Sequence, residues 1–157
     1  MRIFTLHMVL ALAWAAIAGN FSVLNIIVGF VFGLLAIWMV REQLGAGTYF
    51  RKSRRIVSLI LLFVYELVHS TFTVALLVLK PKLDFKPGII AYPLKVKSDV
   101  EITLLANLIT LTPGTLSIDV SDDKKTLYVH AIDATDPEGI IADIADGFEK
   151  KVIEVFE

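Results

Sequence analysis

The chain has no cysteine among its 157 residues. Disulfides, thiolate zinc sites and cysteine nucleophiles are thereby excluded together. Histidine is nearly as scarce, and His7, His69 and His130 lie on separate segments with no ligand spacing. No Walker A loop, G-x-G-x-x-G, G-x-S-x-G or H-E-x-x-H occurs, and no nucleophile–base pair is evident. An enzyme or a cofactor-binding protein is not expected. Asp119, Asp122, Asp123 and Asp133 come nearest to a cation site, but Asp122 and Asp123 read as turn residues and Asp119 as an outward strand position. Hard cations need several convergent oxygens, so no metal site is expected. Charge is also sparse, at 20% of residues, and is concentrated after residue 80. No basic stripe interleaves with exposed aromatics, which excludes nucleic acid as a partner.

What the chain has in abundance is apolar surface, 56% of residues with a mean hydropathy of +0.73. That exceeds an ordinary soluble domain. Three apolar stretches account for it. Ile3–Ala18 is short for a span and resembles a signal peptide, with Ala16-Ile17-Ala18 as a cleavage-like site. A second apolar stretch follows at once, which favours a retained helix, with His7 as an interfacial or packing residue. After a break at Gly19-Asn20, Phe21–Val40 has spanning length. Gly29 and Gly33 form a G-x-x-x-G pair there that admits a close neighbouring helix, and Asn25 lies one turn earlier, placed to hydrogen-bond across that contact. The short break predicts a tight hairpin of the first two helices. Asn20-Phe21-Ser22 matches a glycosylation acceptor only by chance.

The organising stretch is Ile56–Leu79, about 36 Å long as a helix against a bilayer core of about 30 Å. Arg51, Lys52, Arg54 and Arg55 fence one end, and Lys80, Pro81 and Lys82 the other. Glu66, His69, Ser70 and Thr73 fall at i, i+3, i+4 and i+7, on one helix face. A carboxylate at bilayer depth is costly. Two readings stay open: a proton- or cation-linked site, or a polar seam that bonds a neighbouring helix for assembly. Arg41–Arg55 reads as a basic loop containing Gly45 and Gly47. By charge alone that loop belongs inside and the C-terminal domain outside.

Residues 81–157 read as a small α+β domain after a membrane region over 1–80. Ile89–Lys97 alternates as a strand, with Pro93 suggesting an edge. Ser98 and Glu101 form a capping box for a helix to about Leu111. Leu104, Leu105, Leu108 and Ile109 cover more of that helix than one sheet can bury, so they are expected to face a partner. Thr115–Val120 and Thr126–Ile132 follow as strands, with Leu116, Ile118 and Val120 matched to Leu127, Val129 and Ala131, and His130 on the opposite face. Asp136 and Pro137 open a helix, and Val152–Phe156 either continues it or adds a strand. The order βαββα is part of a ferredoxin-like arrangement.

The run NLITLTPGTLSIDVSDDKKTLYVHAID, ending at Asp133, resembles the signature of the E subunit of the multisubunit Mrp-type (Mnh-type) sodium/proton antiporter. Length, apolar segments and C-terminal domain fit as well. The resemblance implies an accessory, non-catalytic subunit in the plasma membrane, partnered by the other antiporter subunits and by lipid, with no small-molecule substrate of its own. It implies a cytoplasmic C-terminal domain, against the charge count, and an external basic loop. The alternative function is a membrane-tethered sensory or ligand-binding domain, which requires a concave site with convergent polar groups.

Overall fold

The computed structural model describes residues 2–80 and 85–157. The expected domain start at Pro81, and Pro81 and Lys82 of the second basic fence, lie outside the described residues. By contacts the chain forms two compact units, Met1–Arg54 and Arg55–Glu157.

The first unit is built on α1 (Arg2–Ile17) and α2 (Val23–Met39), the expected hairpin. Gly19 takes φ +61° at the turn, a left-handed conformation open to glycine at little cost. Ser22 caps α2 by accepting from the Asn25 amide. The two helices meet at the glycine pair. A methyl group added at Gly29 would lie 2.6 Å from the Ala11 carbonyl oxygen, and one at Gly33 would lie 3.0 Å from the His7 ring. The helix that the G-x-x-x-G pair admits is therefore this chain's own α1. The unit is apolar outside as well as within: Phe4, Val9, Leu12, Ile27, Val31 and Leu35 are about half exposed or more, while Ala11, Ala15, Ile37 and the polar His7 are buried.

Arg41–Arg55 is not a loop throughout. Only the segment through Ala46 is a turn, with Gly45 at φ +62°. The third helix, α3, starts at Gly47 and runs to Val78, 32 residues or about 48 Å. Residues 48–55 contain no breaker, and extending an existing helix costs far less than starting one. Among the described residues α3 alone is long and apolar enough to cross a membrane, while α1 and α2 are shorter apolar helices.

The second unit joins residues from Arg55 onward to a three-stranded antiparallel sheet of β1 (Gly88–Pro93), β2 (Thr115–Val120) and β3 (Thr126–Ala131). The strand order is β1-β3-β2, so β1 is an edge strand, as Pro93 suggested. β3 is antiparallel to both neighbours. β1 and β2 are therefore parallel to one another, and α4 (Asp99–Leu111) crosses between them. The Ser98–Glu101 capping box is present. Backbone hydrogen bonds from Ser98 hold the Glu101 carboxyl below its usual pKa. α5 (Pro137–Ile144) is capped by Asp136. It passes through a π-helical turn, Ala145–Glu149, into α6 (Lys150–Phe156), so the last segment is helix rather than strand.

Two expected faces are corrected. Leu116 and Ile118 are about half exposed, while Thr115, Ser117 and Val120 turn inward. A β-bulge between Ser117 and Asp119 inserts one residue, which breaks the simple alternation. Leu105, Leu108 and Ile109 do not await a partner: they are buried in this chain's own core with Leu127, Val129, Ile144, Phe148 and Leu59. The sheet covers one side of α4, and the long-range return of α5–α6, with α3, covers another. Leu104 is only partly buried, beside exposed Val100 and Leu111.

Candidate functional site

The polar face of α3 divides in two. Glu66 and Ser70, one turn apart, are half-buried and line a crevice of about 170 Å3 together with Thr112, Thr115, Asp143 and Phe148. His69 and Thr73 are exposed on the flank of the same helix. The hydroxyls are used locally: Ser70 Oγ donates to the Glu66 carbonyl at 2.6 Å and Thr73 Oγ1 to the His69 carbonyl at 3.0 Å. His69 stacks on Tyr65 with ring centroids 5.8 Å apart. Among the described residues the four side chains form no hydrogen-bonded chain with one another. This geometry makes a polar strip with one free carboxylate more readily than a proton wire.

The crevice floor is hydrogen-bonded within itself. Thr112 and Thr115 both donate through Oγ1 to the Ile109 carbonyl, at 2.7 and 2.8 Å, closing the end of α4. Gly114 has φ +99°, and a methyl group there would meet Val74 of α3 at 3.1 Å. That close approach seats α3 on the α4–β2 turn. At about 170 Å3 the crevice is smaller than usual small-molecule pockets, which start at about 300 Å3. Among the described residues no three His, Cys, Asp or Glu side chains converge for a metal. Asp123 accepts from the Ser121 hydroxyl and the Lys125 amide of its own turn, and Asp133 from the Thr135 amide and the distant Lys86 amide.

The packing residues of the first unit form a second polar cluster. His7 Nδ1 lies 2.6 Å from Tyr49 Oη and its Nε2 lies 2.7 Å from the Phe30 carbonyl. Since that carbonyl only accepts, Nε2 donates to it, and Nδ1 is hydrogen-bonded to the Tyr49 hydroxyl. Asn25 bridges the hairpin, accepting from Trp14 Nε1 at 3.2 Å and donating to the Asn20 carbonyl.

Sequence reasoning missed Glu149. It is fully buried, and its carboxylate accepts from Tyr92 Oη at 2.6 Å and from the Lys95 and Val96 amides at 2.6 and 3.1 Å. Burial, and then the Glu149 carboxylate, push the Tyr92 phenol well above its usual pKa. The π-helical turn adds a residue to the helical phase and ends on Glu149, adjoining buried Phe148. No regular 3.6-residue pattern marks that position. Glu149 pins the chain leaving β1 to the C-terminal helix and has no open side for a ligand.

Comparison with known proteins places these features. The Na+/H+ ion antiporter subunit family MNHE matches residues 7–155. The E subunit of the Na(+)/H(+) antiporter of Alkalihalophilus pseudofirmus is 42% identical over 150 residues, covering 96% of this chain and 95% of that protein. The E1 subunit of the Na(+)/H(+) antiporter of Staphylococcus epidermidis is 34% identical over 154 residues, 98% of this chain and 97% of that protein. Among solved structures, a chain of the archaeal membrane-bound sulfane sulfur reductase complex aligns at TM-score 0.58 and 27% identity, covering 96% of each chain. A chain of the Mrp complex from Dietzia aligns at TM-score 0.50 and 27% identity, over 66% of this chain and 96% of that one. With nearly its whole length matched by the family and by such relatives, the chain belongs to the Na+/H+ ion antiporter subunit family MNHE.

Proposed function

We propose that the chain is an accessory, non-catalytic membrane subunit of a multisubunit sodium/proton antiporter complex, supporting its assembly and ion exchange. The observation that carries this reading is the similarity, 42% and 34% identity over nearly the full length, to the E and E1 subunits of Na(+)/H(+) antiporters. The first unit, which leaves Phe4, Val9, Leu12, Ile27, Val31 and Leu35 exposed while burying the polar His7, suits a bilayer or the helices of partner subunits rather than water. The other subunits of the complex are the partners, with lipid on the remaining apolar surface. The chain has no reaction and no small-molecule substrate of its own. The small crevice lends no support to the sensory alternative.

On this reading α3 spans the membrane and the α1–α2 hairpin enters it, making the protein multi-pass across residues 1–80 of a plasma membrane. Residues 81–157 form the extramembrane domain on the cytoplasmic side, and the turn before Gly47 is external. The β1-β3-β2 order with a helical crossover supports a ferredoxin-like domain lacking its last strand. Glu66, with His69, Ser70 and Thr73 along the same strip, is a seam for a partner's polar group. Its main role is assembly. Leu104, with Val100 and Leu111, is the part of α4 available to another chain of the complex. Sodium/proton exchange in vesicles from cells lacking this chain, with and without it restored, tests the proposal. Exchange should fall without the chain and return with it; unchanged exchange would refute the role.

A further inference from the structure

The apolar part of α3 cannot lie in a bilayer while the α+β domain stays packed along it. The domain meets that part at points from Leu59 to Val74. Leu59 is buried in the domain core, Leu62 and Phe63 pack against it, Glu66 and Ser70 line the crevice, and Val74 meets Gly114. Arg55 to Lys80 is about 38 Å of helix, longer than a hydrocarbon core of about 30 Å. Residues before Arg55 are too basic to serve as the span instead. The domain carries exposed Asp99, Asp122, Asp123, Lys124 and Lys125, which cannot enter hydrocarbon cheaply. No placement of the bilayer along the apolar part of α3 leaves the domain in water while it stays packed.

We propose that the α+β domain is a removable cover for α3: it closes over the Leu59–Val74 face in the chain outside a bilayer and lifts from it on membrane insertion and assembly. The same side chains then exchange one neighbour for another. In the closed state Leu59, Leu62 and Phe63 are shielded from water and Glu66 sits at an open crevice. In the inserted state that face passes to the helix of a partner protein in the complex, because Glu66 on it disfavours plain lipid. The occupant is a transmembrane helix that offers a hydrogen-bond donor or a cation opposite Glu66. The inference rests on the function proposed above, which supplies the membrane and the partner.

The native chain lacks cysteine, so paired cysteines read the cover directly. Ser70→Cys with Asp143→Cys, and separately Ser70→Cys with Pro113→Cys, place thiols on opposite walls of the one crevice. A short bis-maleimide should link either pair in the full chain purified alone in mild detergent. In intact membranes holding the assembled complex the yield should be at least about tenfold lower, the mark of a shifted two-state population. Equal linking in membranes would overturn the proposal, since the domain would then remain on α3, and so would absence of linking in both preparations. Recovery of other antiporter subunits with the tagged chain from the same membranes is read in parallel. Failure of that recovery would count against the antiporter role, while the cross-link still decides the cover.

Discussion

Replacing Gly29 by alanine should weaken the α1–α2 hairpin more than the same change at Gly33. The added carbon at Gly29 would lie 2.6 Å from the Ala11 carbonyl oxygen and 2.9 Å from Trp14 Cβ. Carbon normally stays about 3.5–4.0 Å from another carbon, so the helices must part by roughly 0.6–1 Å. Neither obstacle can rotate away, because one is backbone and the other a Cβ. Parting by that much also stretches the 2.7 Å bond from His7 Nε2 to the Phe30 carbonyl toward its limit. Overpacking costs about 1–3 kcal/mol and a weakened buried hydrogen bond about 1 kcal/mol, for a total of about 2–4 kcal/mol. At Gly33 the nearest atoms are the His7 ring at 3.0 Å and Leu10 Cβ at 3.3 Å, so a shift of a few tenths of an ångström, and about 1 kcal/mol, suffices. Unfolding of the full chain in mixed detergent and SDS, followed by tryptophan fluorescence, gives both values, since Trp14 sits at the Gly29 contact. Equal stability of Gly29→Ala and wild type, or a larger loss at Gly33, would refute the packing argument.

Glu149→Ala should cost about 3–5 kcal/mol of stability, because it strands the buried Val96 amide and Tyr92 hydroxyl and the partly buried Lys95 amide; thermal unfolding measures it, and a loss below about 1 kcal/mol would contradict the pin. The raised pKa of Tyr92 means that its contribution is complete below its unfolded pKa of about 10 and is lost as pH rises beyond it. Alkaline titration of stability should show that loss in wild type and less of it in Tyr92→Phe. For topology, a cysteine at exposed Gln43 should react with an impermeant thiol reagent from outside and one at Asp123 should not; the reverse pattern would reverse the orientation. Glu66→Gln should retain most exchange at normal complex yield, whereas Glu66→Leu should lower yield by leaving the partner's polar group unpaired, about 1–3 kcal/mol. Exchange and yield measured together separate these outcomes, and abolished exchange in Glu66→Gln at full yield would instead make Glu66 a proton carrier.

Local chemistry was legible in the sequence where one short stretch decides the structure. Ser98 with Glu101, Asp136 with Pro137, the alternation into Pro93 and the Gly19-Asn20 break each specify their element without help from distant residues. The glycine pair of α2 also showed that a helix must come close, though not that it would be α1. What could not be read depends on distant packing or on one inserted residue. The bulge at Ser117–Asp119 reverses which face Leu116 and Ile118 occupy. The π-helical turn brings Glu149 to a wall that a regular helix would not give it. Leu105, Leu108 and Ile109 exceed the needs of one sheet because the covering α5–α6 return lies some 30 residues or more later in the chain. Of the α3 strip, the periodicity grouped four polar residues, but it could not show that only Glu66 and Ser70 reach the crevice, or that Ser70 and Thr73 bond their own helix.

The central claim, that the chain works within an antiporter complex, is tested most directly by affinity isolation from native membranes through a tag on this chain. The account predicts that the remaining antiporter subunits are recovered with it in fixed proportion and that the isolated complex, reconstituted in vesicles, exchanges sodium for protons. Recovery of the chain alone, with the other subunits still assembled and exchanging without it, would contradict the account.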